Sequence, residues 1–356
     1  MTQIASAPQQ PKTAQQPDPS RIMQIGMGFW ASKALLAAVK FQVFTILSGT
    51  SMSGKQIKEK LRLQTTDRHV YDWLDSLVSL GFLQRDGVGS NGLYCNASET
   101  DLFLDKNKPS YIGGILEMSN NRLYPFWSNL EEGLLTGLRQ NESKSGSNMD
   151  FFEDLYKSEV KLREFVDAMS GIQMGNFIAL AHQFNFSNFE TISDIGGADG
   201  FLSIQIALNH PSTRGITFDL PPVEPLAKAK IRQFNLEKRI QVVSGNFLTD
   251  PFPPAEVITM GNILHGMDEK TKVEIIKKAY DALPQGGVFI AIENIIDNDR
   301  KQNTFGMLMS LNMLIENGDA FDYTFDDFEG WAKQAGFRNT ELLPLAGPTS
   351  AAIAHK

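Results

Sequence analysis

Short apolar runs alternate with helical patterns from residue 189 to the C-terminus, and this alternation restricts the fold more than any other feature of the chain. Apolar runs rich in Val and Ile are typical of strands that are buried on both faces of a sheet. Strands separated by helices pair in parallel, because a crossover helix returns the chain to the same end of the sheet. The sequence therefore predicts an α/β domain, in which helices cover both faces of a mostly parallel sheet.

The first strand of this half, at residues 191–197, ends in a glycine turn, and a helix follows over residues 200–209. Glycines at such a turn let the backbone approach a ligand closely, and the start of the helix points free N–H groups at it. The candidate binding residues of this loop are Asp194, Gly196, Gly197 and Gly200. A glycine turn also serves as a plain connection between a strand and a helix, so the loop alone does not establish a site.

Two further strand ends favour a ligand at this edge of the sheet. The strand at residues 215–218 is followed by Asp219 and Leu220, and a carboxylate in this place can bind both hydroxyls of a ribose. The next strand leads to Asn246 and Phe247, an amide and an aromatic ring where an adenine would lie. Aspartates are also common in turns, so their joint placement at strand ends is what favours a binding function.

The glycine spacing indicates the kind of ligand. A dinucleotide site has the spacing Gly-x-Gly-x-x-Gly, with a pyrophosphate at the start of the helix. Ala198 and Gly200 break that spacing here. The loop therefore favours a cofactor that lacks a pyrophosphate.

The fourth and fifth strands bring an acid–base pair to the same edge. The fourth strand continues through Gly261 and Asn262 to His265, and the fifth strand ends at Glu293. Ligands of open α/β sheets bind along the carboxyl ends of the strands, and a carboxylate beside a histidine raises its basicity. The structural alternatives are a core histidine bonded to a carbonyl and a carboxylate that caps a helix. The strand-end positions favour catalysis.

The N-terminal half has a different character. Residues 1–20 are rich in Gln, Pro, Ala and Ser, which predicts a mobile tail. Residues 29–47 form a helical run that is apolar around most of its circumference and needs burial on several sides. Helical patterns at residues 53–61 and 67–80 follow, then a hairpin around the turn at residues 86–92. Two helices and a hairpin in this order predict a winged helix.

The charges of this segment argue against DNA as its ligand. Residues 50–95 hold six basic residues against five acidic ones, and the helix that would enter the groove contains Asp67, Asp72 and Asp75. The whole chain has a formal net charge of -8, which repels a phosphate backbone. We therefore expect no nucleic acid partner and interpret the winged helix as a dimerisation and substrate-capping element.

Other features set the compartment and the domain limits. The single cysteine, Cys95, excludes a disulfide within the chain and a thiolate metal cluster. No unbroken apolar run has the roughly 18 residues of a membrane span, and no signal peptide pattern is present, so a cytoplasmic protein without a membrane partner is expected. Residues 109–182 have helical patterns, apart from a polar loop at residues 140–150. The expected divisions are the tail at 1–20, the dimerisation domain at 21–108, a helical linker and capping region at 109–185, and the cofactor-binding domain at 186–356.

An ordered set of motifs resembles the caffeic acid and acetylserotonin class of O-methyltransferases, from residue 23 to the C-terminus. The motifs lie at residues 194–200, 218–221, 245–247, 263–265, 282–287, 308–315 and 331–337. The resemblance implies a Rossmann-like sheet of seven strands with the last antiparallel, which fits a closing hairpin at residues 339–345 and 350–355. It also implies an N-terminal all-helical winged-helix dimerisation domain, an intertwined homodimer, S-adenosylmethionine as the cofactor with S-adenosylhomocysteine as its product, and no metal.

The resemblance also implies roles for individual residues. Asp219 would hold the ribose, the glycine loop the methionine part, and Asn246 with Phe247 the adenine. His265 would be the general base, with Glu293 and Asp322 as its acidic partners. The cofactor set is completed by Leu220, Gly261 and Asn262, and the pocket for the acceptor would contain Phe165, Met169, Ile172, Met313 and Asn317.

The chain departs from the family pattern at several positions. Ala198 stands where many relatives have a third glycine, and Asn246 stands where many have an acidic residue. Gly266 and Met267 replace the usual Asp-Trp, and residues 319–320 are Asp-Ala instead of Gly-Gly. We therefore expect a cofactor site that is altered at its edges.

Three functions remain open from the sequence. The first is O-methylation of a hydroxyl on a small aromatic or polyketide-like metabolite. The second keeps the cofactor but performs N- or C-methylation, or decarboxylation, hydroxylation or a pericyclic reaction without methyl transfer. The third is a regulator that binds the cofactor without turnover. His265 beside Glu293 favours proton removal and therefore methyl transfer.

Overall fold

The computed structural model describes residues 17–144, 155 and 157–356. The predicted tail lies outside the described residues except for its last four, and so does much of the polar loop predicted after residue 140. The chain divides into two compact units, which meet in sequence between Asp101 and Leu102.

The N-terminal unit is helical apart from a small antiparallel sheet. Its helices are α1 (Ser20–Gly26), α2 (Gly28–Lys40), α3 (Val43–Ile46), α4 (Gly54–Leu61) and α5 (Asp67–Ser79), and α6 (Ser98–Phe103) spans the boundary. Its strands are β1 (Met52–Ser53), β2 (Leu83–Asp86) and β3 (Leu93–Asn96), in the order β1-β3-β2. Ser53 and Gln56 form a capping box that begins α4, and Thr66 caps α5. The predicted pair of helices and the following hairpin are confirmed.

The first two helices carry an exposed apolar surface. The exposed fractions are 74% for Ile22, 70% for Ile25 and 62% for Trp30. Residues Ser20–Lys40 also meet the length and mean-hydropathy requirements of a membrane span, although polar residues such as Gln24 and Lys33 interrupt the apolar run. An exposed apolar surface of this kind marks a contact with another protein or a membrane.

The C-terminal unit begins with helices. They are α7 (Gly113–Met118), a π-helical turn (Ser119–Leu123), α8 (Tyr124–Trp127), α9 (Leu130–Thr136) and the long α10 (Glu159–Gln183). The helices that the pattern predicts in this region are therefore present, and residues 137–144, which follow α9, are not helical.

A seven-stranded sheet follows, with strand order β6-β5-β4-β7-β8-β10-β9. The strands are β4 (Thr191–Ile195), β5 (Arg214–Asp219), β6 (Ile240–Ser244), β7 (Val257–Gly261), β8 (Val288–Glu293), β9 (Asn339–Pro344) and β10 (Ser350–His355). The last strand, β10, lies antiparallel between β8 and β9, whereas the pairs among β4 to β8 are parallel. The predicted sheet and its antiparallel last strand are confirmed.

The helices of this half are α11 (Phe201–Asn209), α12 (Glu224–Gln233), α13 (Glu269–Ala282), α14 (Thr304–Asn317) and α15 (Phe325–Ala335). Helices pack on both faces of the sheet, with α13 and α15 on one face and α10 and α11 on the other. Alternate residues of β8 belong to different cores, with Phe289 and Ala291 on one face and Ile290 and Ile292 on the other. The strand order reverses at β4, whose neighbours are β5 and β7. A crevice opens at such a switch point, beyond the carboxyl ends of the strands, and the predicted site residues follow these strands.

Candidate active site

The glycine loop after β4 packs closely on β5. A Cβ atom on Gly197 would lie 2.3 Å from Oγ1 of Thr217, so only glycine fits at this position. Gly196, Ala198 and Gly200 have φ values of 70°, 48° and 78°, in the left-handed region that favours glycine. Ala198 is held in this conformation by its N–H, which donates to Oδ2 of Asp219 at 2.9 Å. The departure from a third glycine therefore leaves the turn intact.

Asp194 lies beneath the loop. Its side chain is buried, and its Oδ1 accepts a hydrogen bond from Oγ1 of Thr259 on β7 at 2.8 Å. Burial raises the pKa of this carboxyl to about 7. Asp194 therefore links β4 to β7 through this hydrogen bond and lies below the loop in which it was predicted to bind the ligand.

Asp219 ends β5 and faces the loop. Its Oδ2 accepts from the N–H of Ala198 at 2.9 Å and its Oδ1 from the N–H of Leu220 at 2.7 Å. Burial raises the pKa of this carboxyl, and the two backbone donors oppose that rise. Each oxygen keeps a further lone pair, and Asp219 lines a shallow surface depression together with Val242 and Ser244. A ribose with two adjacent hydroxyls matches this set of acceptors.

The loop after β6 is a hydrogen-bonded turn. Oδ1 of Asn246 accepts from the N–H of Leu248 at 2.9 Å, and the N–H of Asn246 donates to Asp250 at 2.8 Å. The carbonyl of Phe247 accepts from Nζ of Lys278 at 2.7 Å, while its half-buried ring packs against the main core. Asn246 therefore shapes the loop where an adenine is predicted to lie.

Asn262 has a left-handed backbone, with φ of 53°, directly after β7. Its N–H donates to the carbonyl of Ile292 at 3.1 Å. Its Oδ1 is buried and has no hydrogen-bond partner among the described residues. The preceding Gly261 lies under the ring of Phe177 on α10, which a Cβ atom would approach to 3.2 Å. A buried acceptor without a partner suits the amino group of a bound ligand.

His265 lies in a short 3₁₀ turn, Leu264–Gly266, beside two buried carboxylates. Its Nδ1 is 3.4 Å from Oδ1 of Asp322 and 3.9 Å from Oε2 of Glu293. Burial disfavours the charged imidazolium, but Glu293 and Asp322 outweigh this effect and raise the pKa of His265 to about 9. The three predicted catalytic residues thus lie together, with Nδ1 turned to the carboxylates.

Glu293 also positions the turn itself. Its Oε1 accepts from three successive backbone N–H groups, those of Ile263 at 3.1 Å, Leu264 at 2.9 Å and His265 at 3.4 Å. Burial raises the pKa of Glu293 to about 7, although the charge of His265 and these donors lower it. This role was not predicted from the sequence, because no spacing rule connects a strand end to the backbone of a distant turn.

The donor atoms of these three side chains lie within 4.8 Å of one another, as metal ligands would. Two features oppose a metal ion at this place. Oε1 of Glu293 is occupied by the three N–H groups. The buried ammonium of Lys272 interacts electrostatically with Glu293 and Asp322.

The predicted acceptor residues fall into two groups. Nδ2 of Asn317 donates to the carbonyl of Gly266 at 3.3 Å, which joins α14 to the His265 turn, and Met313 is buried on the same helix. Phe165 packs instead with a cluster on the cofactor side: Leu155, Leu162, Val166, Val223, Leu226 and Ala198. Met169 is half-buried and Ile172 is 37% exposed.

Two residues of this region were not predicted from the sequence. Asn312 is buried on α14, and its Oδ1 accepts from Nε1 of Trp127 at 2.9 Å. Lys272 is fully buried on α13. Helical spacing could have placed Lys272 on the buried face of α13, because Ile275 and Ile276 follow it by three and four positions.

Comparison with known proteins identifies the family. The family model of the O-methyltransferase domain matches residues 127–338, and that of the O-methyltransferase dimerisation domain matches residues 23–106. The chain is 32% identical over 338 residues to the tetracenomycin polyketide synthesis 8-O-methyl transferase TcmO of Streptomyces glaucescens, covering 95% of this chain and 97% of that protein. It is 28% identical to the N,N-dimethyltransferase OxyT of Streptomyces rimosus, covering 89% of this chain and 90% of that protein.

A solved structure shares the fold. Human N-acetylserotonin methyltransferase in complex with S-adenosylmethionine superposes with a TM-score of 0.86 at 24% identity, covering 98% of this chain and 99% of the other. The predicted resemblance is confirmed by both family models and by the full-length match to TcmO. The chain belongs to the O-methyltransferase family, with its dimerisation domain, and is an S-adenosylmethionine-dependent methyltransferase.

Proposed function

We propose that the protein methylates a hydroxyl of a small aromatic or polyketide-like metabolite, with His265 as the general base. The observation that carries this proposal is the contact of His265 Nδ1 with Asp322 at 3.4 Å beside Glu293. Nδ1 is the ring nitrogen nearest to these carboxylates, and a proton attracted to Nδ1 leaves Nε2 as the basic nitrogen. The relative TcmO, named for 8-O-methylation of a polyketide, supports an acceptor of this class.

The cofactor would lie along the edge of the sheet from β6 to β7. Asp219 would bind the ribose hydroxyls, with Leu220 beside it, and the loop after β6 would hold the adenine. The glycine loop and Asn262 would surround the methionine part, where the free Oδ1 of Asn262 suits the amino group. Bound S-adenosylmethionine supplies a methyl group activated by its sulfonium sulfur. Alignment of the acceptor oxygen with that methyl group provides much of the acceleration.

His265 would take the proton of the acceptor. A phenol has a pKa of about 10 in water, and the carboxylates raise the pKa of His265 to about 9, so the proton passes between groups of similar affinity. Glu293 and Asp322 then stabilise the imidazolium that forms. Burial of both carboxylates keeps water from competing for His265 Nδ1. No metal takes part in this scheme.

This arrangement predicts how the rate depends on pH. Only the neutral imidazole accepts a proton, so kcat/KM should rise with pH up to about 9, the pKa of His265. Asp322→Asn removes a charge that stabilises the imidazolium. For this variant the rising limb of kcat/KM against pH should therefore move to lower pH, and the maximum rate should fall. The acceptor's own ionisation is the same for both enzymes and cannot produce that displacement. Identical rising limbs for the two enzymes would exclude His265 as the titrating base.

The N-terminal unit would form the homodimer. The dimerisation domain model matches residues 23–106, and exposed Ile22, Ile25 and Trp30 offer an apolar surface that a second copy would cover. We place this domain at residues 21–108, the capping region at 109–185 and the cofactor-binding domain at 186–356. A surface covered in this way leaves the dimer soluble in the cytoplasm, with no membrane or nucleic acid partner.

N-methylation is the second candidate, because the relative OxyT is named an N,N-dimethyltransferase. A screen of phenolic and amine metabolites separates the two, with S-adenosylhomocysteine release followed by mass spectrometry in the presence of a chelator. We expect release with phenols, at rates that the chelator does not change. Release with amines alone would favour the second candidate. No methylated product from any acceptor would favour chemistry without methyl transfer.

A further inference from the structure

Lys272 is a charged residue in the interior of the catalytic domain. It lies on α13, and its side chain has no exposed surface. Its Nζ donates a hydrogen bond to the carbonyl of Met267 and lies 3.6 Å from the centre of the Phe321 ring. The rings of Tyr323 and Trp331 are 6.0 and 5.9 Å away. Aromatic faces attract a cation, so this surrounding suits an ammonium group.

Ionisable groups from several elements face this ammonium. Glu293 on β8 and Asp322 before α15 act on it, as do Asp268 and Glu269 at the start of its own helix. His265 and the buried phenol of Tyr323 share the same two carboxylates. Burial lowers the pKa of Lys272 to about 8, and the four carboxylates oppose this effect. Lys272 is therefore mostly protonated at neutral pH.

The contacts of Lys272 and Glu293 enclose the turn that carries His265. Glu293 accepts the N–H groups of Ile263, Leu264 and His265 at the start of the turn. Lys272 donates to the carbonyl of Met267 at its end. An anion at the N–H end and a cation at the carbonyl end also match the dipole of the turn. Phe321 and Tyr323, which surround the ammonium, flank Asp322 in sequence, so one segment contacts both Lys272 and His265.

We propose that Lys272 is a positioning residue, which fixes the end of the His265 turn and offsets the negative charge of Glu293 and Asp322. The proposal rests on the general-base function proposed above. Two carboxylates beside one imidazole would hold its proton so firmly that the free base becomes scarce near neutral pH. The Lys272 ammonium, which interacts with the same carboxylates, weakens that hold, because its charge repels the charge of the imidazolium. His265 then releases its proton at a lower pH than the carboxylates alone would allow.

Three variants separate the charge of Lys272 from its hydrogen bond. K272M removes both, K272Q keeps a donor without the charge, and K272R keeps both. K277M is the matched control, because Lys277 lies on the same helix, is exposed and pairs with Asp281. Methionine matches lysine in length but leaves the buried Glu293 and Asp322 without a cation and the carbonyl of Met267 without its donor. K272M should therefore unfold at a lower temperature than the wild type, whereas K272R should unfold close to it.

The first measurement is an NMR titration of isotope-labelled histidine in the full-length chain. The chain has five histidines, and the resonance of His265 is identified by its loss in H265N. Lys272 itself loses its proton near pH 8, below the His265 midpoint, so the informative variant is K272R, whose charge persists. We expect the His265 midpoint in K272R to lie about one pH unit below those in K272M and K272Q, and K277M should match the wild type. Equal midpoints in K272R and K272M would overturn the proposal, whether or not an acceptor for methylation has been found.

The second measurement is the rate of methyl transfer across pH. For K272M and K272Q we expect kcat near pH 7 to fall about tenfold, the ratio that corresponds to one pH unit, and to recover at higher pH. KM for the cofactor should not change, because Lys272 contacts no part of its predicted site. A loss that is equal at all pH values, or failure of all three variants to fold, would assign Lys272 to the fold alone. Absence of methyl transfer in the wild type would reject the proposed function but leave the titration result interpretable.

Discussion

Replacement of His265 with alanine is expected to lower kcat for a phenolic acceptor by about 10²- to 10⁴-fold, the usual contribution of a general base. The physical reason is that Asp322 and Glu293 would then face an empty space instead of an imidazole, and no other described base lies within 4 Å of them. Affinity for S-adenosylhomocysteine should stay within about twofold, because the predicted cofactor contacts come from other strand ends. Stopped assays give kcat, and calorimetry gives the affinity.

The control for this variant is His182→Ala, which removes an exposed histidine from the end of α10. It should retain the wild-type kcat. A wild-type rate in His265→Ala would show that His265 is not the general base. Loss of cofactor affinity together with the rate would show instead that the turn at residues 264–266 has collapsed.

Replacement of Asp219 with alanine is expected to weaken cofactor binding by about a hundredfold or more. Two hydrogen bonds from ribose hydroxyls to a carboxylate contribute about 1.5 kcal/mol each at the lower limit, and about 1.4 kcal/mol is a factor of ten in Kd. The variant also loses the acceptor for the N–H of Ala198, which holds the glycine loop against β5. Calorimetric titration with S-adenosylhomocysteine measures this change directly.

Asp281→Ala is the matched control, because Asp281 is an exposed aspartate on α13 that pairs with Lys277. Its cofactor affinity should equal that of the wild type. Unchanged affinity in Asp219→Ala would reject the placement of the ribose and, with it, the position of the cofactor along β4, β5 and β6. His265→Ala and Asp219→Ala should therefore affect different steps. The first lowers turnover and keeps cofactor binding, whereas the second weakens cofactor binding.

Much of this site follows from the sequence because parallel strands point the same way. Strand assignment alone brings four predicted residues to a common edge of the sheet. They lie at the carboxyl ends of its strands or shortly after them: Asp219, Asn246, His265 and Glu293. Asp322 is different. It lies in a loop between α14 and α15, where no periodic pattern places it beside His265, and only the family resemblance pointed to it.

Contacts that depend on packing between distant segments could not be predicted. The long helix α10 has apolar residues on several sides, so its pattern did not show that Phe165 packs near Ala198 while Ile172 stays partly exposed. Burial of Lys272 requires Phe321 and Trp331, which are about 50 and 60 residues away in sequence. Helical spacing puts Lys272 on the buried face of α13, but charged residues are mostly exposed, so the sequence alone did not establish its burial.

The most direct test of methyl transfer at this site uses S-adenosylmethionine with a deuterated methyl group and a phenolic acceptor from the screen. We predict that mass spectrometry will find the intact deuterated methyl group on the acceptor oxygen, with one S-adenosylhomocysteine formed per product. The His265→Ala enzyme should form neither at a comparable rate. A product without the label, formed while the cofactor stays unconsumed, would contradict methyl transfer and favour a reaction in which the cofactor is only bound.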